Sequence, residues 1–257
     1  MLARLDALVD GAHARLFPRT RPGWLPKDAA REALVLWAVC FAAVLIGFVI
    51  WKPLGKVFAT VGFLYLPLHA VTYRGEDWPD YGLSTRTLGK DLKLFGLMSA
   101  LVFPLFVLGY FVFVEAVLPQ MPRDLLRTLT PYPDASMIHF KFRLPDRFTE
   151  WLIDDLFVVA LPEEFFYRGF IQSRLRDAWP GGKTFLGARL GAAFWVTAIL
   201  FALGHLAIFE VWRLAVFFPA LLFGWMRERT NSVVAGALFH AASNLLIKIL
   251  DASFFGG

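Results

Sequence analysis

One cysteine in 257 residues leaves nothing for it to pair with, so no intrachain disulfide can brace the fold. Cys40 lies inside an apolar run and reads as a helix-packing residue. Charge is also scarce, with Asp, Glu, Lys and Arg making up only 18% of the chain. The first thirty or so residues are charged and hold no apolar core of the kind a secretory signal needs, so no such signal is expected. Several motifs are missing, and each absence removes a chemistry. There is no Gly-x-Ser-x-Gly turn for a serine nucleophile. His-Glu-x-x-His, Cys-x-x-Cys and a phosphate-binding Walker loop are absent as well. No internal repeat or low-complexity tract is visible.

What the chain has instead is apolar surface. It is 58% hydrophobic and 16% aromatic, against about 45–50% apolar in an ordinary soluble domain. The net charge of +5 could suggest nucleic acid as a partner. The basic residues fall between apolar runs, however, as the loop charges of a membrane protein do, so the expected partner is a lipid bilayer and not nucleic acid. A spanning helix needs about 20 mostly apolar residues. Seven stretches are candidates: residues 32–51, 57–73, 94–118, 148–170, 190–209, 212–226 and 233–250. The second, third and sixth carry Pro67, Pro104 and Pro219, which neighbouring helices can accommodate. The fold class expected is all-α, a polytopic transmembrane helical bundle of about seven spans.

Residues 1–31 form a separate amino-terminal surface segment, and residues 32–257 the membrane domain, with a motif-bearing core at 148–250. Within the first segment Leu2, Leu5, Leu8, Val9, Ala12 and Leu16 recur at helical spacing. This predicts an amphipathic helix over 2–17, lying on the membrane or packed on the protein's own loops. Residues 119–147 read as a long loop on one membrane face. Arg74, Arg86, Lys90, Lys93, Arg174, Arg176, Lys183, Arg189, Arg227 and Arg229 are read as loop charges on one side. That places the amino terminus in the cytoplasm by the basic-residue rule, and seven spans put the carboxyl terminus outside.

An ionisable residue inside a spanning segment costs about 2.5–3.5 kcal/mol at mid-helix and so marks function by default. The fourth stretch contains Leu161-Pro162-Glu163-Glu164-Phe165-Phe166-Tyr167-Arg168. Like charges side by side in low dielectric oppose each other's ionisation. Arg168 lies one turn past Glu164 and can pair with it, which leaves Glu163 about 100° away around the helix and free to act as a base. A structural reading, an ion-paired knot between helices, stands beside this one. His205 closes the fifth stretch, and His240 and Asn244 share one face of the seventh. Asp154 and Asp155 read as a solvated helix start, His69 as packing, and His13 and His139 as surface residues.

In order and spacing, Glu163-Glu164-x-x-x-Arg168, Phe201-x-x-x-His205 and His240-x-x-x-Asn244 resemble the signature motifs of the CAAX protease and bacteriocin-processing family, also called the Abi family. This is a family of intramembrane endopeptidases that includes the type II prenyl-protein endopeptidases. The resemblance covers about residues 153–246. It implies a helical bundle with its catalytic cavity inside the membrane, in which Glu163 and His205 activate a water. His240 and Asn244 would stabilise the oxyanion, and Arg168 would orient Glu164. The implied substrate is a membrane-associated protein or peptide, and the implied place a bacterial inner membrane.

The preferred reading needs no cofactor. Glu163, His205 and His240 could alternatively hold zinc with an open water position, although Asn244 suits an oxyanion donor better than a metal ligand. Two rival functions remain. One is a proton-coupled or ion-binding transporter, since intramembrane Glu, His and Arg also mark proton relays; the paired broken helices and inverted symmetry of such proteins are not seen. The other is a non-catalytic membrane scaffold.

Overall fold

The joints between helices are set by proline, glycine and single extended residues. In the computed structural model, which describes residues 11–12, 26–131 and 140–255, Pro26–Ile50 (α1) and Lys52–Arg74 (α2) are separated only by Trp51. Its extended backbone turns the chain, and Pro53 sits in the first turn of α2, where a missing N–H costs nothing. The two helices pack closely because Gly47 and Gly55 face each other: a Cβ on Gly47 would come within 2.8 Å of Gly55 Cα. Gly75, at φ 69°, ends α2 in the left-handed region that glycine enters freely.

Leu88–Val112 (α3) continues through a wide turn, Phe113–Val117, and a 3-10 turn, Leu118–Gln120. Arg123–Leu129 (α4) follows, so the stretch read as one long loop holds a short helix. Residues 148–178 form one helical run, α5, with two π-helical stretches, Asp154–Ala160 and Phe165–Ile171, around the short α-helical piece Leu161–Glu164. Pro162 gives a local cause. It lacks an N–H and its ring crowds the carbonyl four residues back. That carbonyl, Val158 O, instead accepts the Thr60 hydroxyl of α2 at 3.1 Å.

A small antiparallel hairpin, Lys183–Phe185 with Ala188–Leu190, pairs Lys183 with Leu190; it was not expected from the sequence. Ala192–His205 (α6), Phe217–Thr230 (α7) and Val234–Phe255 (α8) complete the bundle. α5 is central, touching α1, α2, α6, α7 and α8. Its Phe165, Phe166, Phe170, Ile171 and Leu175 are fully buried.

All seven apolar stretches are helical, and the all-α class holds. Among the described residues, four helices are long and apolar enough to cross a membrane: 28–50, 52–74, 88–120 and 234–255. The count of seven is therefore not reproduced. α6 and α7 are too short by that measure, and α5 carries too much charge. Large apolar side chains face outward on the long helices, among them Ile46, Val61, Leu105 and Leu108. Lipid accepts such a surface and water does not; the protein is an integral membrane protein. The amphipathic helix expected over 2–17, His13 and His139 lie outside the described residues.

Several basic residues counted as loop charges are not in loops. Arg174 lies in α5 and is 5% exposed; Arg227 lies in α7 and is 1% exposed. Glu32, fully buried near the start of α1, accepts from Arg74 Nη1 and from Arg174 Nε, the latter at 3.0 Å. Arg74 also donates to Glu76 at 2.9 Å and to the Tyr81 hydroxyl at 2.8 Å. One cluster thus ties α1, α2 and the end of α5 together.

Burial opposes the ionisation of Glu76, but hydrogen bonds from Arg74 and Tyr81 outweigh it and hold its carboxyl below the usual range. A depressed carboxylate pKa adds stability that is complete above the unfolded value of about 4.3 and is lost as pH falls through the folded one. Glu76→Gln should therefore flatten the fall in melting temperature seen on acidification from about pH 6 to about pH 3. An unchanged slope would count against this linkage.

Candidate active site

Glu163 and Glu164 sit on the short α-helical piece at the centre of α5, and His240 faces them from the second turn of α8. Glu164 is fully buried. Its Oε1 accepts from Arg168 Nη1 at 3.0 Å and from His240 Nδ1 at 3.1 Å. Arg168, 1% exposed, also donates to Ala220 O at 3.3 Å, and its guanidinium lies 4.1 Å from the Phe201 ring centre. Glu164 is thereby clamped from two sides.

Glu163 is different. It makes no hydrogen bond within the described residues, and its Oε2 lies 4.0 Å from His240 Nε2. Its Oε2 is buried without a donor, as is Glu164 Oε2. Acceptors left in this way are rare in folded proteins and tend to mark functional positions.

The imidazole of His240 has both nitrogens committed in direction. Nδ1–H donates to Glu164, because a carboxylate can only accept, and Nε2 turns toward Glu163. The ring stacks on Phe223 at 4.8 Å, with 16° between the planes. His205 ends α6. Its Nδ1 donates to Phe201 O at 2.9 Å, which leaves Nε2 as the lone-pair nitrogen. The rings of His205 and His240 border the same Phe201 ring, at 4.6 and 6.1 Å.

The two histidines sit at unequal depths in their helices, about 20 Å along α6 for His205 and about 9 Å along α8 for His240 at 1.5 Å per residue. Offset helix starts bring them to one Phe201. Asn244, half-buried one turn past His240, has no hydrogen-bond partner among the described residues. Arg168, His205 and His240 thus border Phe201, Glu164 is bonded to Arg168 and His240, Glu163 lies 4.0 Å from His240, and Asn244 stands one turn further along α8.

Among the described residues no three His, Cys, Asp or Glu side chains are grouped so as to hold a metal ion. Glu164, a fourth donor, is already taken up by Arg168 and His240.

Two aromatic residues belong to the site as much as the polar ones do. Phe201 stands one turn before His205, so the histidine motif itself contains it. Phe223 on α7 has no signal in the sequence, because its stacking on His240 depends on how α7 meets α8. Asp155 corrects an expectation. It is 2% exposed and paired with Lys248 Nζ of α8, not solvated at a helix start. The signal was a lysine in an apolar run, eight residues past His240.

Gly236 lets α8 approach the pair, since a Cβ there would lie 3.2 Å from Glu164 Oε2. Gly236→Ala must shift a carboxylate held by two donors by a few tenths of an ångström. A misplacement of 1 Å costs about 100-fold, so turnover should fall about 3–10-fold with little change in melting temperature. Unaltered turnover would remove Glu164 from the working geometry. Beside the cluster, between α5 and α8, lies a cavity of about 480 Å³ lined by Leu156, Phe157, Leu161, Val234, Ala237 and Leu238 among others.

A bundle of apolar helices that sets a carboxylate pair beside an arginine and a histidine defines a membrane protein with a polar cluster in its interior. Residues 146–246 match the family model described as Rce1-like, type II CAAX prenyl endopeptidase Rce1-like. That stretch is similar to the CAAX protease family, a likeness that supports a CAAX-type intramembrane protease at the family level. No curated protein and no solved structure matches the chain.

Proposed function

We propose that the protein is an intramembrane endopeptidase that cleaves a peptide bond of a membrane-associated protein or peptide with a glutamate-activated water. The observation that carries this reading is the division of labour between the two carboxylates. Glu164 is held by Arg168 and His240, while Glu163 has no hydrogen bond among the described residues and faces His240. A base must be free to take a proton.

In this reading Glu163 takes a proton from water as its oxygen attacks the carbonyl carbon. His205, with Nε2 unprotonated, supports the same water. The carbonyl π bond becomes a tetrahedral oxyanion, met by His240 and Asn244. His240 would donate to it from Nε2, while its Nδ1–H is held by Glu164. The C–N bond breaks as the Glu163 proton passes to the departing amine. The apolar cavity would take a hydrophobic side chain beside the bond.

The test is cleavage of membrane-anchored peptides by the purified protein in detergent or vesicles, read by mass spectrometry of the new termini. Absence of product with every lipidated and unlipidated peptide tried, from protein that is folded, would sink the reading. Activity lost to a strong chelator and restored by zinc would replace the glutamate mechanism with a metal-dependent one.

A further inference from the structure

α5 and α8 run antiparallel and are joined at two polar levels. The first is the site, where Glu163 and Glu164 meet His240. The second lies eight residues away on each helix, where Lys248 Nζ pairs with Asp155 Oδ1. At 1.5 Å per residue the two levels are about 12 Å apart. Asp155 is 2% exposed, and Lys248 also lies 4.6 Å over the Trp151 ring. Charges inside a membrane helix are costly, and a buried ion pair is often no more stabilising than the apolar residues that could replace it. Stability alone therefore gives a weak account of the pair.

The helix between the levels gives a better one. Asp154–Ala160 is π-helical, and Pro162 follows. A π turn rotates everything beyond it relative to a regular α-helix, so the direction of Glu163 depends on which residues hold that wide turn. A bond fixing Asp155, in the first residues of the wide turn, to α8, with Glu164 fixed to α8 beyond its end, leaves the turn a single register.

We propose that Asp155 and Lys248 are positioning residues that hold the π-helical register of α5 and so aim Glu163 and Glu164 at His240. This inference rests on the proposed hydrolytic role of that site.

The test compares Asp155→Leu/Lys248→Met, which replaces the pair with apolar residues, with Lys248→Arg, which keeps it. The double variant should retain its melting temperature and KM while kcat falls at least tenfold; Lys248→Arg should stay within about threefold of the parent. The magnitude follows from the cost of sub-ångström misalignment. A substrate-independent readout accompanies it. In protein labelled with 15N-histidine, and assigned with His240→Asn, the His240 ring signals should move in the double variant and stay in place in Lys248→Arg. Unmoved signals, or a kcat loss that merely tracks a lower melting temperature, would overturn the proposal. A parent protein that cleaves nothing would count against the proposed function, and the histidine signals would still decide the positioning role.

Discussion

Glu163→Gln should abolish peptide cleavage and leave the fold intact. Glutamine keeps the shape of the side chain and removes the proton acceptor. General base catalysis contributes about 10²–10⁴-fold to rate, and loss of the sole free carboxylate of this cluster should sit at the upper end. The melting temperature should stay within about 2 °C, because Glu163 makes no hydrogen bond among the described residues whose loss could cost stability. Binding of an uncleaved peptide should be retained. The decisive measurement is single-turnover cleavage by the purified variant alongside its thermal melt. Cleavage within tenfold of the parent would show that another group activates the water. Loss of folding together with activity would instead make Glu163 structural, as in the scaffold reading.

Arg168→Met should have the opposite signature, with stability falling first. Arg168 and Glu164 are 1% and 0% exposed, and 3.0 Å separates Nη1 from Oε1. Removing one member of such a pair leaves the other charge buried and uncompensated, at a cost of about 3–5 kcal/mol. The Arg168 guanidinium also covers the Phe201 ring and reaches the Ala220 carbonyl, so its loss loosens α5 from both α6 and α7. A marginally stable bundle cannot absorb that loss easily. The expected result is a much lower melting temperature, or aggregation in detergent, with cleavage lost as a consequence. A well-folded Arg168→Met protein of normal melting temperature would mean that the pair does not hold α5 in place. Set beside Glu163→Gln, the two variants separate the carboxylate that works from the one that is held.

The cluster Glu32, Arg74, Arg174, Glu76 and Tyr81 shows why counting charges along the chain overstates the loops. Arg74 and Arg174 stand near helix ends, where a sequence reader assigns them to water. In the fold they turn inward and meet Glu32 from two different helices. Nothing local distinguishes an arginine facing solvent from one that finds a buried partner more than forty residues away. Asp155 misled for the same reason: its partner, Lys248, is on another helix.

The amino-acid sequence by itself determined that the chain is helical and lives in lipid, because apolar runs of that length have no other stable form. It also marked Glu163, Glu164, Arg168, His205, His240 and Asn244 as a set, since polar residues at one-turn spacing in apolar helices are too costly to be incidental. The pairing of Arg168 with Glu164 was legible too, being a contact within one helix. Only the tertiary structure decided that His240 also holds Glu164, that Phe201 and Phe223 wall the site, and that Asp155 meets Lys248. Each of these depends on how separate helices pack. Proline and π-helical turns in α5 change the direction of its side chains, so the 100° step of a regular helix no longer predicts which residue faces which neighbour.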